Sequence, residues 1–327
     1  MVTEWLILIA SLIVLGVAAN YLVGSSVKIA RIFGIPEILI GLTIVAWGTS
    51  APEIGVSITA ALEGKGALSV GNVIGSNIFN LGFILGTVAI IATQKISKKM
   101  VYRDCLVLML STLMVLAFVW DNNVTQVEGA IMLTCLFAYM AYLFIKKDVP
   151  TEDLEAVEEA LELPEIDVKK KKWIHILVFL VSLYVLVKAA DYTVESAVAI
   201  ATVFGISEWA IGVTIVAAGT SLPEVATSVM ATIKRKFDIS IGNVIGSDIF
   251  NALGIIGVSS VIAPLVLKPH TSILGFPDYI FSQLLLVATL VLIVIFMRSG
   301  WRLSRWEGIT LLTIAVARMG FEIYIGM

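Results

Sequence analysis

Ten apolar stretches, each long enough to form a membrane-spanning helix, dominate this sequence of 327 residues. A helix needs about 20 predominantly apolar residues to cross a hydrocarbon layer of about 30 Å. Hydrophobic residues make up 59% of the chain and charged residues only 14%, which excludes an ordinary soluble globular protein. The stretches are also too long for the alternating strands of an outer-membrane barrel. They cover residues 4–30, 36–62, 67–93, 101–120, 126–145, 173–203, 208–233, 239–266, 278–297 and 304–325.

The sequence contains two copies of one unit. GTSAPE at residues 48–53 returns as GTSLPE at 219–224, and GNVIGSNIFN at 71–80 returns as GNVIGSDIFN at 242–251. In both cases the second copy lies 171 residues after the first (219 − 48 and 242 − 71), and we call this separation the repeat offset. Each copy holds five predicted spans, and an odd number of crossings gives the copies opposite orientations in the bilayer. The predicted fold class is an all-α integral membrane protein of ten transmembrane helices, built as two inverted five-helix repeats.

Charge divides the chain into two membrane units and a linker. Residues 148–172 carry nine acidic residues followed by four lysines, whereas residues 1–147 and 173–327 hold the first and second membrane repeats. We interpret 148–172 as a solvated linker; a regulatory ion-binding role is the alternative, although EF-hand spacing is missing. With the N-terminus outside, 18 of the 22 lysine and arginine residues fall on the inner side. This distribution predicts a multi-pass protein of the cell membrane with both termini outside and the linker in the cytoplasm.

Two glutamates lie near the middle of predicted spans, where a carboxylate that faced lipid would cost several kcal/mol. Glu53 belongs to the second span, and Glu224 takes the corresponding position in the seventh. No lysine or arginine shares either motif. A buried acid that is protonated or paired is therefore the weaker interpretation, and a cation site where the inverted repeats meet is the stronger one.

Pro52 and Pro223 predict a break in each of these two spans. A proline removes a helix hydrogen bond and clashes with the carbonyl four residues earlier, which belongs to Gly48 or Gly219. Broken helices 2 and 7 free main-chain carbonyls, which the C-terminal end of a half-helix presents to a cation. The neighbouring hydroxyl groups supply more oxygen atoms: Thr49, Ser50, Thr220 and Ser221.

The second motif of each copy has two interpretations. Its glycine spacing permits close approach of helices, as small-xxx-small pairs do, or the motif takes part in the site directly. The glycine pairs are Gly71 with Gly75 and Gly242 with Gly246. Polar residues four positions apart share one helix face, which must point away from lipid. These polar pairs are Ser76 with Asn80 and Ser247 with Asn251.

All of these candidate ligands are hard oxygen atoms, with neither histidine nor cysteine among them. Such sites suit Ca²⁺, Na⁺ and K⁺ and argue against Zn²⁺ or Cu⁺. The sequence shows no nucleophile and base pair and no HExxH motif, so we predict a transporter without a cofactor rather than an enzyme. The predicted partners are membrane lipid and the transported ions, with no nucleic acid and no obligate protein partner.

GTSxPE, followed in the next predicted span by GNVIGSxIFN and occurring twice, resembles the repeats of the cation/Ca²⁺ antiporter superfamily, specifically the prokaryotic type of its Na⁺/Ca²⁺ exchanger branch. The resemblance implies a ten-helix exchanger in which Ca²⁺ and Na⁺ compete for central sites. It implies that Glu53 and Glu224 are the shared carboxylates. By motif position, it implies further oxygen ligands at Thr49, Ser50, Ser76, Thr220, Ser221 and Ser247, main-chain carbonyl ligands at Ala46 and Ala217, and central amides at Asn80 and Asn251.

One position departs from the family pattern. Proteins of the types that this chain resembles often have Asp where Asn251 stands, so one central charge is missing and K⁺ co-transport is disfavoured. Asp248 lies about 60° from Asn251 and about 100° from Ser247 around the helix axis. Two roles stay open for Asp248: a protonated or hydrogen-bonded acid at a helix interface, or a supporting or proton-sensitive group beside the ligands.

The predicted function is secondary active antiport of Na⁺ against Ca²⁺ by alternating access, in which the first and sixth spans slide over the rest. Two carboxylates carry −2, so one Ca²⁺ neutralises the site and three Na⁺ leave +1, which predicts electrogenic exchange. An H⁺/Ca²⁺ antiporter is the alternative within the transporter class, although that branch has GNxxE rather than GTSxPE. A passive cation channel that uses the glutamates as a selectivity ring is the alternative from another class.

Overall fold

A computed structural model describes residues 2–146, 172–204, 217–268, 272–273 and 275–325, and this part of the chain is mostly helical. In chain order the helices are α1 (Val2–Phe33), α2 (Glu37–Thr49), α3 (Ala51–Leu62), α4 (Gly66–Ile91), α5 (Met100–Val119), α6 (Gln126–Ile145), α7 (Lys172–Val203), α8 (Ala217–Gly219), α9 (Leu222–Ile233), α10 (Phe237–Ile262), α11 (Asp278–Arg298) and α12 (Arg305–Ile325).

Seven of the described helices are long and apolar enough to cross a membrane. They are α1, α4, α5, α6, α7, α10 and α11. The bent pair α2 and α3 gives an eighth candidate, with an angle of 49° between its halves. Residues 148–171 of the predicted linker and residues 208–216 of the predicted seventh span lie outside the described part. A mostly helical fold with several candidate membrane spans is therefore confirmed, whereas the total of ten spans and their inversion stay predictions.

Helix-capping residues explain why acidic groups stand at the start of two apolar helices. At α6, the Thr125 hydroxyl accepts the Glu128 amide, while the Glu128 carboxylate accepts the Thr125 amide at 2.7 Å. At α12, the Glu307 carboxylate accepts the Ser304 amide at the same distance of 2.7 Å. These reciprocal bonds satisfy amides that a helix start leaves without partners. The two carboxylates therefore define helix ends and are not candidates for the ion site.

Four of the described helices contain a π-helical turn, which sequence analysis did not predict. The turns cover Gly41–Val45 in α2, Asn80–Ile84 in α4, Met100–Asp104 in α5 and Phe250–Ile255 in α10. A π-turn inserts one extra residue into a helix, which changes the faces on which the flanking side chains lie, and such turns are frequent at functional sites. Two of the four turns begin at or next to the predicted amides of Asn80 and Asn251.

Three short antiparallel ladders in the described loops add to the predicted all-α fold. The strands are β1 (Gln94–Lys95), β2 (Asn123–Val124), β3 (Leu265–Val266), β4 (Ser272–Ile273), β5 (Phe276–Pro277) and β6 (Arg302–Leu303). β1 pairs with β6 and β2 pairs with β3, so each of these ladders joins a loop of one copy to a loop of the other. The third ladder, β4 with β5, is a local hairpin. The ladders supply hydrogen-bond partners for backbone groups in these loops, and a hydropathy pattern gives no sign of such pairing.

The two longest described helices lie side by side. α1 and α7 each have 32 residues and pack along one another. Their apolar cluster includes Leu15 and Leu22 from α1 and Phe179 and Leu186 from α7, and it extends to α2. A separate and larger apolar cluster joins α4, α5, α6, α10 and α11. The α1 and α7 pair therefore packs on the first half of the bent helix pair.

The two copies interlock in the larger cluster. The end of α4 packs on α12, and the corresponding end of α10 packs on α6. Glycines allow both contacts: a Cβ added to Gly86 would lie 2.9 Å from the Gly308 carbonyl oxygen, and one added to Gly257 would lie 3.2 Å from the Gly129 carbonyl oxygen. The third span of each copy therefore contacts the fifth span of the other copy, and the copies share one core.

Candidate functional site

The break between α2 and α3 falls at Ser50, which has φ −78° and ψ 13°. Pro52 is the second residue of α3, where its missing amide hydrogen costs no helix bond because the first amides of a helix have no intrahelical partner. Glu53 lies in the first turn of α3, at the positive end of the helix dipole. The chain therefore changes direction one turn ahead of the carboxylate.

The second copy has the same arrangement between α8 and α9. Ser221 precedes α9 with φ −90° and ψ 9°, Pro223 follows in the first turn, and Glu224 is the third residue of α9. Both glutamates are only 1% exposed. Each copy thus presents one buried carboxylate at the start of a half-helix.

Each break binds the glutamate of the other copy. The Ser50 hydroxyl donates to Glu224 Oε1 at 3.0 Å, and the Ser221 hydroxyl donates to Glu53 Oε1 at 2.9 Å. The Thr49 and Thr220 side chains approach the same carboxyl groups, Thr49 that of Glu224 and Thr220 that of Glu53. We call this arrangement of the two glutamates and the two serines the reciprocal clamp. It brings both predicted carboxylates into one buried centre.

Five buried oxygen atoms around the centre have no hydrogen-bond donor within the part of the chain that the structure describes. A buried acceptor without a donor costs about 1–3 kcal/mol, so such groups are rare and require an explanation. A bound cation would supply the missing partner for the glutamate and asparagine oxygens among them. The five atoms are Glu53 Oε2, Glu224 Oε2, Asn80 Oδ1, Asn251 Oδ1 and Asp248 Oδ2.

The Ala46 carbonyl corrects one expectation. The proline break is expected to free main-chain carbonyls, and the resemblance implies a carbonyl ligand at Ala46, yet the Ala46 oxygen accepts a hydrogen bond from the Ser50 amide at 3.1 Å. The same oxygen lies 3.2 Å from the Thr49 hydroxyl and 3.5 Å from the Ser247 hydroxyl. It therefore keeps a helix hydrogen bond and has only its second lone pair for another contact. Ala217, its counterpart, is the first residue of α8.

Ser76 and Ser247 occupy different surroundings. Ser247 is fully buried at α2, beside the Ala46 carbonyl. Ser76 lies with Gly71, Asn72 and Gly75 at a cavity of about 90 Å³. The structure therefore brings the second-copy serine to the first-copy break directly, whereas the first-copy serine faces a cavity.

Two asparagines that sequence analysis did not single out hold the half-helices in place. Asn72 donates to the Glu53 carbonyl at 3.3 Å and to the Ser57 hydroxyl at 2.9 Å. Asn243 makes the matching bonds to the Glu224 carbonyl at 3.5 Å and to the Ser228 hydroxyl at 2.9 Å. Each asparagine and each serine recurs in the other copy at the repeat offset, and that recurrence was the signal available in the sequence.

Asp248 is fully buried between α10 and α4 and contacts a predicted ligand. Its Oδ1 accepts the Asn80 side-chain amide at 2.9 Å, and its main-chain oxygen accepts the Asn77 side-chain amide at 3.1 Å. Asn77 in turn accepts the Asn251 amide at 3.0 Å. Of the two roles left open by the sequence, the geometry supports a hydrogen-bonded acid at a helix interface, and it places that acid beside the centre.

The close approach of α10 to α2 explains the second glycine pair. A Cβ added to Gly246 would lie 2.6 Å from Leu42 Cα, and one added to Gly242 would lie 3.0 Å from the Ile38 carbonyl oxygen. Such distances leave no room for a side chain. Gly242 and Gly246 therefore serve helix packing, one of the two interpretations that the sequence left open.

The chemistry of the centre suits a hard cation. Across the described ranges, no three side chains of histidine, cysteine, aspartate or glutamate come together as a metal cluster. The available atoms are instead a carboxylate pair with hydroxyl, amide and carbonyl oxygens, which is the donor set of Ca²⁺ and Na⁺ rather than of Zn²⁺.

Comparison with known proteins agrees with this donor set. A sequence family described as sodium/calcium exchanger protein matches residues 3–145 and 174–323. The chain belongs to the sodium/calcium exchanger family. Its family membership makes it an integral multi-pass membrane protein of a transporter family that exchanges cations and Ca²⁺, and the resemblance predicted from the two repeated motifs is confirmed.

Relatives in this family match the chain over nearly its whole length. The sodium/calcium exchanger MaX1 of Methanosarcina acetivorans is 30% identical over 360 residues, covering 98% of this chain and 99% of the relative. Inner membrane protein YrbG of Escherichia coli is 32% identical over 305 residues, covering 92% and 90%. A solved structure of the sodium-calcium exchanger NCX_Mj superposes with a TM-score of 0.81 at 27% identity, covering 97% of both chains.

Proposed function

We propose that this chain is a secondary active antiporter that exchanges Na⁺ for Ca²⁺ across the cell membrane by alternating access. The observation that carries the proposal is the reciprocal clamp, in which each buried glutamate keeps one oxygen atom without a donor among the described residues. MaX1 and NCX_Mj are named as sodium/calcium exchangers, and YrbG is named as an inner membrane protein, which supports the choice of ions and of membrane.

The charge of the site gives a reason for coupling. Two ionised glutamates carry −2, which one Ca²⁺ neutralises and three Na⁺ convert to +1, so exchange at that ratio moves net charge. An unoccupied site with charge −2 is costly to expose to hydrocarbon or to move between the two sides. We therefore expect the site to change sides only when Ca²⁺ or Na⁺ is bound.

The proposed ion site combines both copies. Its carboxylates are Glu53 and Glu224, and its central amides are Asn80 and Asn251. The other proposed oxygen ligands are Thr49, Ser50, Ser76, Thr220, Ser221, Ser247 and the carbonyls of Ala46 and Ala217. Support comes from the buried oxygen atoms without donors among the described residues and from the contacts that join the two breaks.

The proposed topology has ten spans in two inverted repeats, at residues 1–147 and 173–327, with both termini outside and the 148–172 linker in the cytoplasm. The loop ladders support it. β1 and β6 belong to loops that the lysine and arginine distribution assigns to the inner side, and β2 and β3 belong to loops assigned to the outer side. The proposal that α1 and α7 slide over the rest is supported by their packing along one another and by a cluster, shared with α2, that is separate from the larger one.

Uptake of radiolabelled Ca²⁺ into proteoliposomes tests the proposed function. The purified full-length chain is reconstituted, vesicles are loaded with Na⁺ and diluted into Na⁺-free buffer, and uptake is compared with that driven by a pH gradient alone. We expect uptake with the Na⁺ gradient, and we expect Glu53→Gln and Glu224→Gln each to reduce it to background. Glu63→Gln is the matched control, because Glu63 pairs with Lys65 in an exposed loop.

Each alternative has its own result in this experiment. Uptake driven by the pH gradient alone would replace the proposal with H⁺/Ca²⁺ exchange. Uptake that needs no counter-ion would indicate a channel. Retained Na⁺-driven uptake in both glutamine variants would reject the site. Elution as a single symmetric peak in size-exclusion chromatography shows that an inactive variant is folded.

A further inference from the structure

Four polar side chains form a hydrogen-bonded group between α4 and α10, beside the reciprocal clamp. They are Asn77, Asn80, Asp248 and Asn251, all at most 1% exposed, and we call them the central amide network. Ser247, the residue before Asp248, lies 3.5 Å from the Ala46 carbonyl at the end of α2, one turn from the first break. The network is therefore part of the same buried region as the proposed ion site.

Asp248 fixes the orientation of Asn80. The Asn80 amide nitrogen donates to Asp248 Oδ1 at 2.9 Å, and an ionised Asp248 offers this amide only acceptor atoms. The Asn80 carbonyl oxygen must then face away from Asp248. That oxygen is buried and has no donor within the described ranges.

The same residue fixes the orientation of Asn251 through Asn77. The main-chain oxygen of Asp248 accepts the Asn77 nitrogen at 3.1 Å, which leaves the Asn77 oxygen facing Asn251. Asn251 therefore donates its nitrogen to that oxygen at 3.0 Å. Its own carbonyl oxygen is left buried, again without a donor in the described part of the chain.

We propose that Asp248 is a positioning residue that sets the Ca²⁺ affinity of the site, because it holds the carbonyl oxygen of the Asn80 side chain toward the ion. The inference rests on the proposed function. Asn77, the counterpart of Asp248 at the repeat offset, does the same for Asn251 with a neutral oxygen. The Asp248 carboxylate thus fixes the orientation of the Asn80 side chain.

An asparagine at 248 would remove this constraint. Two facing amides can bond in either of two orientations, and one of them points the Asn80 nitrogen toward the ion. Amide hydrogens carry partial positive charge and repel a cation. Losing one oriented ligand oxygen of this kind is expected to weaken Ca²⁺ binding about tenfold, which is the usual effect of one lost hydrogen bond or its equivalent.

A double-mutant cycle separates positioning from the plain effect of the Asp248 charge. The proteins are wild type, Asp248→Asn, Asn80→Ala and the double variant, with Asp121→Asn in an exposed loop as control. Two quantities are measured: the Ca²⁺ concentration that gives half-maximal Na⁺-driven uptake, and the Ca²⁺ concentration that gives half of the thermal stabilisation in detergent. If Asp248 acts through Asn80, the two changes are not independent and their effects do not multiply.

We expect Asp248→Asn to raise both concentrations about tenfold, with the maximal uptake rate and the ion-free unfolding temperature close to wild type. The double variant should be no weaker than Asn80→Ala alone. If the effects of Asp248→Asn and Asn80→Ala on the Ca²⁺ affinity multiply in the double variant, the Asp248 charge acts directly and the proposal is overturned. An unchanged Ca²⁺ affinity in Asp248→Asn would also overturn it. Should Asp248→Asn fail to fold, Asp248→Ala takes its place in the same cycle with Asn80→Ala, and multiplying effects there would equally overturn the proposal.

The stabilisation measurement keeps this inference separate from the proposed function. A wild-type protein that is stabilised by Ca²⁺ but shows no Na⁺-driven uptake would contradict the exchange proposal alone. The comparison of Ca²⁺ affinities across the cycle would still decide the role of Asp248.

Discussion

Around Glu53 and around Glu224 the two copies of the repeat make matching contacts. Each carboxylate accepts a serine hydroxyl from the other copy, at 2.9 Å from Ser221 and 3.0 Å from Ser50. Each also has an asparagine beneath it that binds its main-chain carbonyl. Each of these hydrogen-bonded pairs takes its carboxylate from one copy and its hydroxyl from the other, so the proposed site requires both copies.

Beyond the glutamates themselves the copies differ. Asn77 in α4 corresponds to Asp248 in α10, so a neutral amide in one copy matches an acid in the other. Both side chains are buried beside the two carboxylates, and they bond to different partners. The duplicated sequence is therefore matched at the two glutamates and has diverged in the polar residues between α4 and α10.

The largest effect is expected from the two serines of the reciprocal clamp. Ser50→Ala and Ser221→Ala each remove a hydroxyl donor from a buried carboxylate, and a hydrogen bond to a charged group contributes about 1.5–3 kcal/mol. We expect each variant to weaken Ca²⁺ affinity by about 10- to 100-fold and the two effects to be similar. The measurement is the half-maximal Ca²⁺ concentration in Na⁺-driven uptake.

Ser111→Ala is the control for these variants, because the Ser111 hydroxyl binds only the Val107 carbonyl of its own helix among the described residues. Its Ca²⁺ affinity should equal that of wild type. A large effect of one clamp serine and none of the other would show that the copies are not equivalent at the site.

A smaller effect is expected from two glycine substitutions, one in each copy. Gly246→Ala forces a methyl group to within 2.6 Å of the α2 backbone. Gly55 is exposed on α3 with no described atom within 4 Å of an added Cβ, and the second copy already has alanine at the matching position, Ala226. Overpacking costs about 1–3 kcal/mol. Thermal unfolding in detergent should therefore show a lower midpoint for Gly246→Ala than for Gly55→Ala, and equal midpoints would contradict the close packing of Gly246 on α2.

The smallest effect is expected from two ion pairs near the surface. The Lys236 and Glu37 side chains are 27% and 21% exposed and join different copies, whereas Lys65 and Glu63 are 60% and 51% exposed and lie in one loop. Exposed ion pairs contribute about 0–1 kcal/mol. Lys236→Met, which breaks the less exposed pair, should therefore lower the unfolding midpoint more than Glu63→Gln, which breaks the other. The reverse order would contradict the assignment of Lys236 as a contact between copies.

The sequence predicted the helices well because lipid-depth segments are defined by hydropathy alone. The predicted stretch 126–145 coincides with α6, and the stretch 173–203 differs from α7 by one residue. The π-turn that starts at Asn80 was not predicted, because it depends on packing between helices and leaves no apolar pattern.

The residue types of the candidate site could be predicted from the sequence, but the hydrogen-bonded pairs that they form could not. The repeat pointed to Glu53 and its neighbouring hydroxyl of Ser50, yet Ser50 binds Glu224, a contact across 174 residues of sequence. The proline break was expected to free main-chain carbonyls, but α2 continues to Thr49, the break falls at Ser50, and the Ala46 carbonyl still accepts the Ser50 amide. Cross-copy contacts of this kind follow from the tertiary packing, which a single sequence does not specify.

The central claim is that Glu53 and Glu224 bind one and the same divalent cation. Anomalous diffraction from crystals soaked in Sr²⁺, a larger analogue of Ca²⁺, measures this directly. We expect one strong peak within coordinating distance of carboxylate oxygens from both residues. A peak bound to only one of the two glutamates, or located outside the region between the two breaks, would contradict it.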